Sequence, residues 1–200
     1  MIRNGTMIRL ASAVLLATAP LALPACGDNN TTSSGPVAAF KPDTANPGAG
    51  TIAMLSGAVA GASIDVRVTI TGVTGFFGAA FRVEYDATAL QFNGVTDSSS
   101  FLRVGVTNDD VLFLEDHSSE PGVVKVTATR LDPTVAPPID VTTTADLIDL
   151  NFTARKAIAV DATEGHIDFG DPKQVCNGSV GTQGCNPVTV TWSGGGVSAQ

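Results

Sequence analysis

Histidine and cysteine are scarce in this chain, with two of the former and three of the latter in 200 residues. That leaves little material for a zinc site or a Cys–His catalytic pair. Basic residues are also few, 11 against 19 acidic, so the formal charge is −8 at pH 7. A surface of that sign repels polyanions and carries no basic stripe, which excludes nucleic acid as a partner. There is one Trp and one Tyr, so rings for a sugar-stacking platform are in short supply. No Gly-x-Ser-x-Gly elbow and no Cys-x-x-Cys pair occurs. What is plentiful is turn-forming, 21 Gly and 11 Pro. At this length the balance describes an exported, β-rich binding or structural domain and not an enzyme.

The N-terminus reads as an address. Arg3 and Arg9 precede an uncharged apolar stretch from Leu10 to Leu23, and Leu23-Pro24-Ala25-Cys26 follows. A basic head, a short apolar run and a small residue before the cut form a secretory signal over residues 1–25. Pro20 interrupts the run, which falls short of the roughly 20 apolar residues of a membrane span. The ending resembles the bacterial lipoprotein cleavage box, which would make Cys26 the lipid-modified first residue and the sole membrane attachment. Each buried CH₂ of such a lipid contributes about 0.8 kcal/mol to anchoring. Ordinary secretion with cleavage after Ala25 is the competing reading.

Residues 26–50 are rich in Gly, Asn, Thr, Ser and Pro, with Val37 and Phe40 as the large apolar groups, and read as a flexible tether. Residues 51–193 hold the folded domain, and 194–200, opening on Gly194-Gly195-Gly196, read as a frayed tail. With Cys26 lipidated, Cys176 and Cys185 remain as a structural disulfide pair in an oxidising compartment. Closing a loop of about 10 residues is worth on the order of 2–3 kcal/mol by chain entropy.

Within the domain the dominant period is two. Ile64, Val66, Val68 and Ile70 alternate with Asp65, Arg67 and Thr69; Phe81, Val83 and Tyr85 with Ala80, Arg82 and Glu84; Ile148, Leu150 and Phe152 with Asp149, Asn151 and Thr153; Val188, Val190 and Trp192 with Thr189 and Thr191. Each run predicts a strand with one face inward and one face wet. Further strands are expected at Thr51–Leu55, Val111–Leu114, Val123–Thr129, Ala157–Val160 and His166–Phe169, with one helical turn from Thr143 to Leu147. Turns such as Glu120-Pro121-Gly122 separate them. Many short strands at this spacing make an all-β, two-sheet sandwich or jelly roll.

Candidate chemistry is thin. Glu84 and Asp86 share one side of a strand, and His117 lies between Asp116 and Ser118 in one polar loop, but neighbours in a loop rarely form a triad. Asn108, Asp109, Asp110, Glu115 and Asp116 form an oxygen-rich cluster whose spacing matches no EF-hand; calcium is the one ion they would suit, and no cofactor is expected. Adjacent Phe76 and Phe77 point opposite ways on a strand, so one ring faces solvent unless a loop covers it, and the two are the candidate glycan contacts.

Gly72 to Val95, with its Tyr85-Asp86 followed by Leu90-Gln91-Phe92, resembles the cohesin domain, as does the apolar alternation Ala145 to Ala154 ending in Phe152-Thr153-Ala154. The resemblance runs from about Thr51 to Asp171. It implies a nine-stranded jelly roll related to carbohydrate-binding modules. It also implies a non-catalytic module whose sheet face takes an exported protein carrying a dockerin-like module, with polysaccharide as the alternative ligand. Carried over, that face comprises Ala80, Arg82, Glu84, Leu112, Leu114, Lys125, Thr127, Asp149 and Asn151. The setting implied is the surface of a bacterial cell envelope, with the domain lipid-anchored or otherwise secreted.

Overall fold

The computed structural model describes residues 35–178 and 185–200. The expected signal, Cys26 and the first part of the expected tether lie outside the described residues, as do residues 179–184 of the loop between Cys176 and Cys185.

Period-two sequence becomes two packed sheets. The strands are β1 (Ala38–Pro42), β2 (Thr51–Ala60), β3 (Ser63–Thr71), β4 (Val73–Tyr85), β5 (Leu90–Asp97), β6 (Val111–Asp116) and β7 (Val123–Arg130). They continue with β8 (Ile139–Val141), β9 (Ala145–Ala154), β10 (His166–Asn177), β11 (Asn186–Val188), β12 (Thr191–Ser193) and β13 (Gly195–Ala199). The larger sheet runs β1-β13-β10-β4-β7-β6, with β11 beside β10 and β8 beside β4; the smaller runs β12-β2-β3-β9-β5. All pairings are antiparallel except β12 with β2. The chain is thus the all-β sandwich expected. Its strands exceed nine because β1 and the three-residue segments β8, β11 and β12 add to the long ones.

The inward phase of each strand fills the space between the sheets. Val66, Val68 and Ile70 of β3 and Ile148, Leu150 and Phe152 of β9 are fully buried, facing Phe81 and Val83 of β4 and Val124 and Val126 of β7. Aromatic groups join the sheets at two places. Trp192, on the smaller sheet, packs against Phe169 and Phe81 of the larger at ring separations of 4.9 and 5.9 Å. Tyr85 of the larger sheet meets Phe152 of the smaller at 5.2 Å, edge to face, and Phe92 completes that group. Trp192 and Tyr85 therefore serve the core and not a platform.

Four local expectations are overturned. The expected tether of residues 26–50 contains β1, and the expected tail is β13. The two pair from Ala38 opposite Ala199 to Pro42 opposite Gly195, and Phe40, Val197 and Ala199 are buried. Gly194 and Gly195 are there for close approach: a Cβ on Gly195 would lie 2.3 Å from the Phe40 ring, and one on Gly194 2.4 Å from the Ile167 carbonyl oxygen. Five residues set among Gly and Pro carry too short an alternation to be read without the partner strand. The expected strand Ala157–Val160 is a single bridge, Ile158 opposite Ala199, because only Ile158 of that run points inward. Thr143–Leu147 makes no helical turn, since Ala145 to Leu147 open β9.

Two outcomes follow for stability. Truncating Phe152, wedged between both aromatic partners, to Ala costs about 3–5 kcal/mol in urea unfolding. Deleting residues 195–200 strips β1 and Ile158 of their partners, and lowers stability by at least about 2 kcal/mol while exposing residues 35–43 to protease; a frayed tail would be lost at no cost.

Candidate partner-binding face

Strand register arranges the outward phase of the larger sheet into cross-strand rows. Leu114 of β6 stands opposite Thr127 of β7, Thr127 opposite Ala80 of β4, and Ala80 opposite Gln174 of β10. The next row is Asp116, Lys125, Arg82 and Gly170, and the row on the other side begins with Leu112 and Thr129. Glu84 lies opposite Asp168. Seven of the nine expected face residues, Ala80, Arg82, Glu84, Leu112, Leu114, Lys125 and Thr127, thus share one outer surface.

Asp149 and Asn151 do not join them. They belong to β9, whose neighbours β3 and β5 are in the smaller sheet, so they point away on the opposite side of the sandwich. There the Asn151 amide donates to Asp65 at 2.7 Å, and Arg67 stands opposite Asp149. Alternation assigned these two residues correctly to a wet face, but a wet phase exists on both sheets.

Ion pairs order the charged row. The Arg82 guanidinium lies 3.1 Å from Glu120 and 3.4 Å from Glu84, and Lys125 is 3.9 Å from Glu120 while donating to Ser119 at 3.1 Å. Glu84 reaches Arg82 because Gly170 leaves room: a Cβ there would overlap the Glu84 carboxylate. At the edge strand the character changes, and Leu114 is 56% exposed.

The other candidates separate. Phe76 is fully buried against Phe101, and Phe77 is half-buried beside Pro138 and Gly178, so neither ring offers a sugar platform. Asp86 accepts hydrogen bonds from the Thr88 backbone and hydroxyl within its own turn, apart from Glu84. The Ser118 hydroxyl donates to Asp116 at 3.1 Å, while His117 turns to Glu115 and meets Phe92 edge to face, so no relay forms. The acidic cluster is split by β6: Asp110 receives the Thr107 N–H and hydroxyl at one end, and Asp116 the Ser118 and Ser119 donors at the other, six residues or roughly 20 Å along the strand. Among the described residues no group of three or more His, Cys, Asp or Glu could hold a metal ion. Cys176 and Cys185 are joined, with Cα atoms 4.9 Å apart.

Sequence reasoning missed Arg130. It continues the inward phase of Val124, Val126 and Ala128, and its buried guanidinium donates to the carbonyls of Leu102, Val104 and Pro137. It fastens the two loops that flank the β6 end of the face. Its place in the alternation was the available signal.

Residues 50–175 match the family described as the cohesin domain, well over half of the chain. The chain belongs to the cohesin domain family. A type II cohesin from the cellulosome of Acetivibrio cellulolyticus has a similar structure, with a TM-score of 0.50, 14% identity, and coverage of 82% of this chain and 94% of that one. The sixth cohesin of scaffoldin B from Acetivibrio cellulolyticus, solved with a Cel5 dockerin mutant, gives 0.48 and 23%, covering 78% and 94%. A Clostridium thermocellum cohesin in the Coh-OlpA-Doc918 complex gives 0.49 and 12%, covering 79% and 96%. No curated protein matches this sequence.

Two carboxylates of this cohesin domain, Asp116 on the larger sheet and Asp149 on the smaller, are held in opposite ways. The Ser119 hydroxyl and the Ser118 N–H hold Asp116 down at about 2, so its contribution to folding is present above the ordinary 3.8 and is lost as pH falls from there to about 2. Asp149 is shifted the other way, by burial first and then by the Asp146 charge. Its proton binds better in the folded state, so stability is greatest below the ordinary value and declines as pH rises through the raised one. Carboxyl NMR titration should find Asp116 below and Asp149 above 3.8. Asp149→Asn, which mimics the protonated form, should raise the thermal midpoint at pH 7 and give no gain at pH 3.

Proposed function

We propose that this protein is a non-catalytic module, tethered outside the cell, that captures an exported protein bearing a dockerin-like module on the outer face of β10, β4, β7 and β6. The observation that carries this reading is the convergence of Ala80, Arg82, Glu84, Leu112, Leu114, Lys125 and Thr127 on one continuous surface, reached from the three strands β4, β6 and β7. Family membership supplies the class of partner. The surface itself suits a protein: it combines exposed leucine, short polar groups and paired charges, and among the described residues no exposed ring platform competes with it.

The tether in this reading is a lipid on Cys26, with the domain at the surface of a bacterial envelope. The cleavage-box residues at Leu23 to Cys26 support it. Eleven residues, 27–37, then lie between the lipid and β1, a reach of at most about 40 Å. β1 is at the edge of the larger sheet farthest from β6, which lets the attachment leave the proposed face open.

Affinity capture from the organism's exported proteins, with calcium and with chelator, tests the function. A calcium-dependent partner whose binding falls about tenfold or more with Leu114→Arg or Arg82→Glu is expected. Retention by insoluble polysaccharide alone, or a partner indifferent to both substitutions, would overturn it. Globomycin sensitivity of leader processing, together with its loss in Cys26→Ser, checks the lipid.

A further inference from the structure

Three segments distant in sequence meet at one corner of the sandwich, at the strand ends. The Ala38 N–H, at the start of β1, donates to the Gly61 carbonyl at 2.7 Å. The Ala154 N–H, closing β9, donates to the Ala62 carbonyl at 2.9 Å. The turn between β2 and β3 is thereby bonded on one side to the point where the N-terminal segment enters the domain. On its other side it adjoins Arg155 and Lys156, the two residues that follow β9.

The turn is unusual in being both wet and apolar. No charge occurs from Thr51 to Ile64, and Ala58, Ala60 and Gly61 are exposed, with Val59 45% and Val37 55% exposed. A turn that only has to face water is ordinarily built from Asn, Asp, Ser and Gly. The two cations beside it are equally distinct. Lys41, Arg67, Arg82, Arg103, Lys125 and Lys173 each face a carboxylate, and Arg130 is buried among carbonyls. Arg155 and Lys156 are exposed and enter no ion pair among the described residues. The acid nearest Lys156 is Asp86, whose carboxylate is engaged by Thr88.

Unpaired cations next to small exposed apolar groups match the boundary of an anionic phospholipid bilayer. The headgroups attract the cations, and the apolar groups settle at the edge of the acyl region. A soluble polyanion would use the cations and leave the uncharged turn without a role. We infer that this corner, formed by Val37, the β2–β3 turn, Arg155 and Lys156, seats the domain on an anionic phospholipid surface. The inference rests on the lipid at Cys26, which lies only residues 27–37 away from the corner. So short a tether supplies an effective concentration in the mM range, so a contact too weak to hold a free domain suffices. The net charge of −8 repels the remainder of the chain from the same surface, so the corner sets orientation as well as contact. Seated there, the strands run away from the bilayer and both sheet faces stay uncovered.

The test couples residues 26–200, which retain every described residue, through Cys26 to a maleimide phospholipid in vesicles; the other two cysteines are joined to each other. Hydrogen exchange is compared on equimolar phosphatidylglycerol and phosphatidylcholine, on phosphatidylcholine alone, and in solution. On the anionic vesicles the exposed amides of residues 57–62 and 155–157 should exchange about threefold or more slowly, with β6 unchanged. Brominated acyl chains should quench the fluorescence of Val59→Trp and spare Trp192. Arg155→Gln and Lys156→Gln should each shift the seated population about fivefold toward the free state. Val59→Asp should abolish the slowing at an unchanged thermal midpoint. Equal exchange in all three settings would overturn the inference. So would slowing that soluble polyglutamate reproduces and Val59→Asp leaves intact. Because the coupling supplies the anchor chemically, such a failure sinks the corner alone, whereas globomycin-insensitive processing sinks the lipid alone.

Discussion

The two sheets stay together because large side chains cross between them at both ends of the sandwich. Trp192 reaches from the smaller sheet onto Phe81 and Phe169, and Tyr85 reaches from the larger one onto Phe152 and Phe92. Between these groups the aliphatic phases of β3, β9, β4 and β7 fill the space completely. The outer faces depend on this interlock. Because Phe81 and Val83 must point inward, Ala80, Arg82 and Glu84 must point outward, and the core fixes the composition of the surface residue by residue.

Closure at the chain ends extends the same constraint. β1 and β13 bury Phe40, Val197 and Ala199, and Gly195 is small so that the Phe40 ring can sit against it. The Val37 N–H donates to the Gln200 carbonyl, so the segment leading to β1 is fastened beside the last residue of the chain. The proposed binding face and the proposed attachment thus lie toward different edges of one sheet.

On the face, charge is spent internally. Arg82, Lys125 and Lys173 each have a carboxylate partner, and exposed pairs of this kind contribute little to stability. In the proposed capture, a surface whose charges are already matched would select through shape and apolar contact and disfavour partners that bring an unmatched charge.

Much of this was legible in the sequence. Alternation in Ile64 to Ile70, Phe81 to Tyr85 and Ile148 to Phe152 determined the strands, their inward residues and the sandwich class, since burying one face of a pleated strand requires that pattern. The nine-residue face was legible only in part. Periodicity separates wet from dry within a strand, but which sheet a strand joins depends on pairing between residues far apart in the chain, so Asp149 and Asn151 were placed with residues they never meet. The same dependence hid β1 and β13, each too short to signal alone, and the inward Arg130, whose acceptors lie in two distant loops. Sequence by itself determined the alternation and hence the core; tertiary structure alone decided which outward residues share a surface, because strand order is a property of long-range pairing and not of local pattern.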